Sequence, residues 1–162
     1  MGFSAGGHAA CTAGLFWQEK LAEDTLEIVH GEDKPNGMIL CYPVITSGEF
    51  THEGSMKCLL GDDPNAELVA KMSLENQVTE NAPKAFIWHT SEDGLVSVEN
   101  SLLIATALHK KGIDVEMHIY PRGGHGLSLC DETVTKRDGL DAAAKYCSDW
   151  VPHCIKWIKE IL

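Results

Sequence analysis

The sequence predicts an α/β fold, a parallel sheet of three or four strands flanked by helices. Three observations predict it. Two nearly continuous apolar runs, 38–45 (Met-Ile-Leu-Cys-Tyr-Pro-Val-Ile) and 84–90 (Lys-Ala-Phe-Ile-Trp-His-Thr), read as strands buried on both faces. Stretches of helical periodicity stand before, between and after the strands. Strands alternating with helices pair in parallel through right-handed crossovers. The 162 residues suit one domain, 1–162, with room for a real core.

The elements follow in order. Ala9, Ala10, Ala13, Phe16, Trp17 and Leu21 recur at helical spacing over 8–21, and the small residues permit close packing on a sheet. In the strand 38–45, Pro43 lacks an amide donor, so pairing weakens near it. Residues 46–82 are polar and irregular, with a helix-start signal at Asp62-Asp63-Pro64 and a short helix from Ala66 to Met72. The segment is long for a connection and reads as a lid-like insertion over a site. After the strand 84–90, Ser97 is the expected N-cap of a helix over 98–111. Val98, Leu102, Ala105 and Leu108 form its apolar stripe, and Gly112 ends it in the left-handed conformation. Val115, Met117 and Ile119 alternate along a third strand, 114–120. A last helix spans 149–162, with Val151, Ile155, Ile158 and Leu162 on one face and Pro152 in its first turn.

The net charge is 13 − 24 = −11 with histidines neutral. Nucleic acid and anionic membrane both demand clustered Lys and Arg, so neither is the expected partner, and a small neutral substrate is. No run approaches the ~18 apolar residues of a membrane span. The cysteines at 11, 41, 58, 130, 147 and 154 form no CxxC pair and no zinc pattern. Free thiols, and with them a cytoplasmic compartment, are the expectation, although Cys147 and Cys154 also stand close enough in sequence to pair. No cofactor motif is found, and with no HExxH pattern no metal is expected.

Gly2-Phe3-Ser4-Ala5-Gly6 matches G-x-S-x-G, the pattern of a nucleophile elbow. A serine on a sharp strand-to-helix turn needs small neighbours, projects its hydroxyl outward, and receives the positive end of the following helix. The Ala5 amide would face a developing oxyanion. Such pentapeptides also occur in ordinary turns, but here a helical pattern follows at once. A serine hydroxyl needs a base beside it. His125, in Gly123-Gly124-His125-Gly126 just after the third strand, is the candidate, and a surface-loop histidine is the plainer reading. His109 and His118 lie in regular elements, and His8, His30, His52, His89 and His153 lack such a loop. The acid that would orient the base is Asp93 or its neighbour Glu92, in Ser91-Glu92-Asp93-Gly94 after the second strand; an Asp-Gly turn is the alternative. The order Ser, Asp, His, each after a strand, is that of α/β-hydrolases and not of chymotrypsin-like or subtilisin-like proteases.

On these residues the chain resembles bacterial α/β-hydrolase esterases of the acetyl-xylan-esterase and esterase/lipase (BD-FAE) group, which are related in fold to dienelactone hydrolases and prolyl oligopeptidases. The matching stretches are 2–8, Tyr42-Pro43-Val44-Ile45, His52-Glu53-Gly54-Ser55, Leu59-Leu60-Gly61, Trp88-His89-Thr90-Ser91-Glu92-Asp93, Val98-Glu99-Asn100-Ser101 and Gly123-Gly124-His125-Gly126-Leu127. The resemblance implies Ser4 as nucleophile, Asp93 as acid, His125 as base and the Ala5 amide as one oxyanion donor, acting on a small ester. Ser97 stands where the family usually has Pro. A dienelactone-type enzyme would carry Cys at position 4. The family's N-terminal half, with the strand leading into the elbow and a glycine-rich loop, is expected to be missing, and any localisation signal with it. The sheet is then expected to end on an open edge near 38–45, through which the chain self-associates or pairs with a missing segment. A catalytically silent fragment or interaction domain is the alternative reading.

Overall fold

The computed structural model describes residues 1–19, 31–132 and 141–162. Among them, β1 (Gly2–Phe3), β2 (Gly37–Cys41), β3 (Lys84–Thr90) and β4 (Val115–Tyr120) form one parallel sheet in the order β1-β2-β3-β4. The register aligns Phe3 with Cys41, Cys41 with Trp88, and Thr90 with Tyr120. Helix α1 (Ala5–Leu15) crosses from β1 to β2. α2 (Glu53–Leu60), α3 (Ala66–Lys71) and a 3-10 turn (Leu74–Asn76) lie between β2 and β3. α4 (Glu99–Lys110) joins β3 to β4, and α5 (Asp141–Cys147) and α6 (Trp150–Ile161) close the chain.

The apolar runs are continuous because both faces of the sheet are covered. Ala85 and Ile87 of β3 join Met38, Leu40, Leu15, Ile104 and Leu108 in one core. Their neighbours Phe86 and Trp88 turn to the other face and pack with Trp150 and Trp157. Trp88 and Trp150 stack there at 5.1 Å.

Several expectations are corrected. The elbow does have a strand before it, the two-residue β1, which pairs with Leu40 and Cys41 and so covers part of the edge expected to be open. α1 begins directly after Ser4 and stops at Leu15; Leu21 and His30 lie outside the described residues. β2 ends at Cys41, two residues before Pro43, because Tyr42 takes a positive φ of 37°. In 46–82 the helix α2 adds to the expected α3, capped by the His52 ring, which accepts the Ser55 amide. Part of that segment is core, since Leu74 is wholly buried.

Ser97 does not cap α4. Val98 takes that place, and the Ser97 hydroxyl donates to the Glu99 carboxylate. The buried face of α4 is Asn100, Ser101, Ile104, Ala105 and Leu108, leaving Leu102 exposed. Polar residues win this face because they have work to do. Asn100 accepts the amides of Ile45 and Thr46 and donates to Phe50 O, fixing the chain beyond β2. In α6 the buried side is Trp150, Cys154 and Trp157, while Ile155, Ile158 and Leu162 are exposed. Two indoles bury more area than the isoleucines would. All six cysteines are free, Cys147 and Cys154 included, and only Cys58 is exposed. Among the described residues no helix is long and apolar enough to cross a membrane.

Candidate active site

Ser4 stands between β1 and α1 with φ 54° and ψ −123°, a conformation that costs a non-glycine residue on the order of 1–3 kcal/mol. Four backbone hydrogen bonds hold it. Its amide donates to Cys41 O at 3.0 Å, and its carbonyl accepts from Gly7 at 2.9 Å, Val44 at 3.1 Å and His8 at 3.4 Å. The elbow also depends on two absent side chains. A Cβ on Gly2 would lie 1.9 Å from Gly6 O, and one on Gly7 would lie 2.6 Å from the Pro43 Cβ. Gly6, the last glycine of the motif, has open space instead, so the steric demand falls on Gly7. The Ala5 amide is among the first amides of α1, which no intrahelical carbonyl can satisfy.

Three sequence-predicted side chains converge here from three strand ends. His125 Nε2 lies 2.8 Å from Ser4 Oγ, and His125 Nδ1 lies 2.7 Å from Asp93 Oδ2. The Asp93 side chain is 1 % exposed and that of His125 16 %. Burial alone would raise the Asp93 carboxyl. Hydrogen bonds from His125, His89 and the amides of Val96 and Leu95 overcome it and hold the group well below the usual carboxylate range. Both amides donate to Oδ1 at 3.0 Å, closing the loop that follows β3.

Glu92, the rival acid, has different work. Its carboxylate accepts the Gly123 amide at 3.0 Å, and Thr90 Oγ1 donates to Gly123 O at 2.6 Å, so residues flanking Asp93 pin the loop that carries His125.

Two neighbours went unread in the sequence. His89 is wholly buried, with Nε2 between Val96 O and Asp93 Oδ2. Its place in a strand disguised it, and only the i, i+4 spacing to Asp93 could have pointed to it. The Tyr42 ring stands edge-on to His125, centroids 5.0 Å apart, and its hydroxyl accepts the Ser128 amide at 2.9 Å. Burial pushes the Tyr42 phenol up to about 12, so it stays protonated.

A cavity of about 920 Å³ opens beside Ala5 and runs along α1, lined by Ala9, Ala13, Val44, Met56 and Leu59 among others, with His52 at its wall. Among the described residues one group could hold a metal ion, Glu116, His118 and His153, and it includes none of the three converging residues.

A parallel sheet whose strand ends present a serine on a strand-to-helix elbow, a histidine on a loop and a buried aspartate defines the α/β-hydrolase class. Residues 1–108, two thirds of the chain, match the BD-FAE family model, and the chain belongs to that family. It is 44 % identical to a solved acetyl ester-xyloside bifunctional hydrolase from Caldicellulosiruptor lactoaceticus (TM-score 0.82), over 99 % of this chain and 55 % of that one. It is 42 % identical over 132 residues to endo-1,4-beta-xylanase B of Butyrivibrio fibrisolvens, 82 % of this chain and 21 % of that protein. It is 30 % identical over 166 residues to an acetylxylan esterase of Xylanibacter ruminicola, 99 % of this chain and 30 % of that protein. The chain thus spans about half of the solved relative and under a third of the curated ones.

Proposed function

We propose that this chain carries the reacting centre of a serine carboxylic-ester hydrolase, with Ser4 as nucleophile, His125 as base and Asp93 as acid. The observation that carries the reading is the unbroken hydrogen-bonded line from Ser4 Oγ through both nitrogens of His125 to Asp93 Oδ2. His125 Nε2 takes the hydroxyl proton as Ser4 Oγ bonds to the ester carbonyl carbon. The Ala5 amide donates to the oxyanion as it forms. Asp93 holds the ring by Nδ1 and offsets the charge of the imidazolium. The imidazolium returns its proton to the alkoxide, the alcohol leaves, and water activated by the same nitrogen releases the acid and Ser4.

Short acyl esters of a carbohydrate are the substrate class, supported by the names of the acetylxylan esterase and acetyl ester-xyloside hydrolase relatives. Ala5 supplies one oxyanion donor. A second oxyanion donor is worth about 10²–10³ in turnover. Among the described residues β1 pairs only with Leu40 and Cys41 of β2, and the edge left at Gly37–Ile39 supports self-association or pairing with a further segment. A monodisperse monomer in light scattering contradicts that part. The activity is tested by p-nitrophenyl acetate hydrolysis, where wild type must exceed Ser4→Ala; equal rates refute the reading.

A further inference from the structure

We propose that His89 is a positioning residue for Asp93 and that the hydrogen-bonded line continues past the aspartate to Ser101. The proposal rests on the reading of Ser4, His125 and Asp93 as the reacting line. His89 Nε2 lies 2.9 Å from Val96 O and 3.2 Å from Asp93 Oδ2. Both are acceptors, so Nε2 carries the proton. Nδ1 lies 2.8 Å from Ser101 Oγ, whose hydroxyl donates to it and selects that tautomer. His89 and Ser101 are wholly buried, so no water substitutes for either partner.

The effect is to saturate the Asp93 carboxylate. Oδ1 takes the amides of Leu95 and Val96, and Oδ2 takes His125 and His89. An ionised carboxyl offers about four lone-pair sites, and here each has a donor. These donors, the His89 N–H among them although it is shared with Val96 O, restrain rotation of the group and favour its anionic form beside His125. His89 also bridges both ends of the acid loop, since Asp93 and Val96 follow it by four and seven residues.

The experiment separates this role from packing. His89→Leu keeps the volume and removes the donor, whereas His89→Gln keeps an N–H near the Nε2 position. His89→Leu should lower kcat on p-nitrophenyl acetate by about 10–100-fold, as misplaced reacting groups do, with KM within about twofold. The acid limb of its kcat/KM profile should move to higher pH, because the carboxylate facing His125 has lost a competing donor. His89→Gln should restore most of kcat and the limb. Ser101→Ala, the mildest change, should lower kcat by a few-fold. A histidine 15N–1H correlation spectrum, independent of turnover, should place the His89 proton on Nε2. Equal impairment of Leu and Gln variants with an unmoved limb, a wild-type His89→Leu, or a proton on Nδ1 overturns the proposal. Equal rates for wild type and Ser4→Ala remove the reading of the site instead, and the spectrum then decides the His89 contact by itself.

A separate observation carries a second inference. Glu116 and His118 share one face of β4, and His153 reaches them from α6, with one donor atom from each within 4.8 Å of the others. We infer that this group binds a divalent transition metal that ties α6 to the edge strand. Two imidazoles and a carboxylate suit zinc and not magnesium. One equivalent of zinc should raise Tm by several degrees in the wild type, magnesium should not, and His118→Ala/His153→Ala should abolish the shift. No zinc shift in the wild type, or the same shift in the double variant, refutes it.

Discussion

The two halves of the site are built differently. The acid loop, 90–98, holds its carboxylate with four donors, two of them backbone amides of the same loop, and is flanked by Thr90 and Glu92, which bind the next loop at Gly123. Its geometry follows from short-range contacts at the end of a seven-residue strand packed between two others. Ser4, the proposed nucleophile, has no comparable side-chain support among the described residues. Ser4 follows a strand of two residues, and its positive φ is maintained by backbone bonds to Cys41, Gly7, His8 and Val44 and by the absence of side chains at Gly2 and Gly7. One half is secured by donors, the other by room. Acid-side changes should therefore act through charge and orientation, and elbow changes through sterics.

The largest effect is expected where charge is removed. Asp93→Asn should lower kcat by roughly 10³–10⁴, because an amide no longer compensates the imidazolium or holds its tautomer. Steady-state rates check this, and a loss under tenfold would break the acid half of the comparison. Gly2→Ala comes next. Its Cβ would sit 1.9 Å from Gly6 O, a backbone atom, so the elbow must shift. Activity should fall by about 10² or more, while circular dichroism keeps its helical signal; full activity would show that the elbow tolerates more than its spacing implies.

A third prediction concerns acid. The Asp93 carboxyl is held below its unfolded value of about 3.9, so its contribution to stability is full above that pH and is lost as pH falls through the folded value. The urea midpoint of wild type should exceed that of Asp93→Asn at pH 7, and the gap should narrow by pH 3. A constant gap contradicts the assignment. The smallest effect is expected for Glu92→Gln. The amide oxygen still accepts the Gly123 amide, so kcat should change by less than about threefold. A fall matching that of Asp93→Asn would exchange the roles of the two acids.

What the sequence made legible follows the same division. The strands were readable because burial on both faces leaves no polar alternation to confuse the pattern, and β3 runs over 84–90 as its apolar run does. The elbow was readable from Gly2-Phe3-Ser4-Ala5-Gly6, although Gly7, not Gly6, meets the steric limit. The helix faces were misread in α4 and α6 because apolar periodicity assumes an apolar core. In α4 the buried face carries Asn100 and Ser101, which serve the chain after β2 and the ring of His89. His89 itself was passed over because it lacks the glycine-flanked loop that marks His125. Its partners Val96 and Ser101 are brought to it by the turn into α4 and are not visible as a pattern in sequence. Tyr42 was hidden in the same way, because its contact with His125 crosses 83 positions and depends on the break in β2.

The central claim is that Ser4 is an activated nucleophile. Intact-protein mass spectrometry after treatment with a fluorophosphonate tests it most directly, since a single phosphonylation reports activation of the serine without requiring turnover. The account predicts one phosphonyl adduct per chain, located on Ser4, absent from Ser4→Ala and slowed by orders of magnitude in Asp93→Asn. No adduct on the wild type, or an adduct that persists in Ser4→Ala, would contradict it.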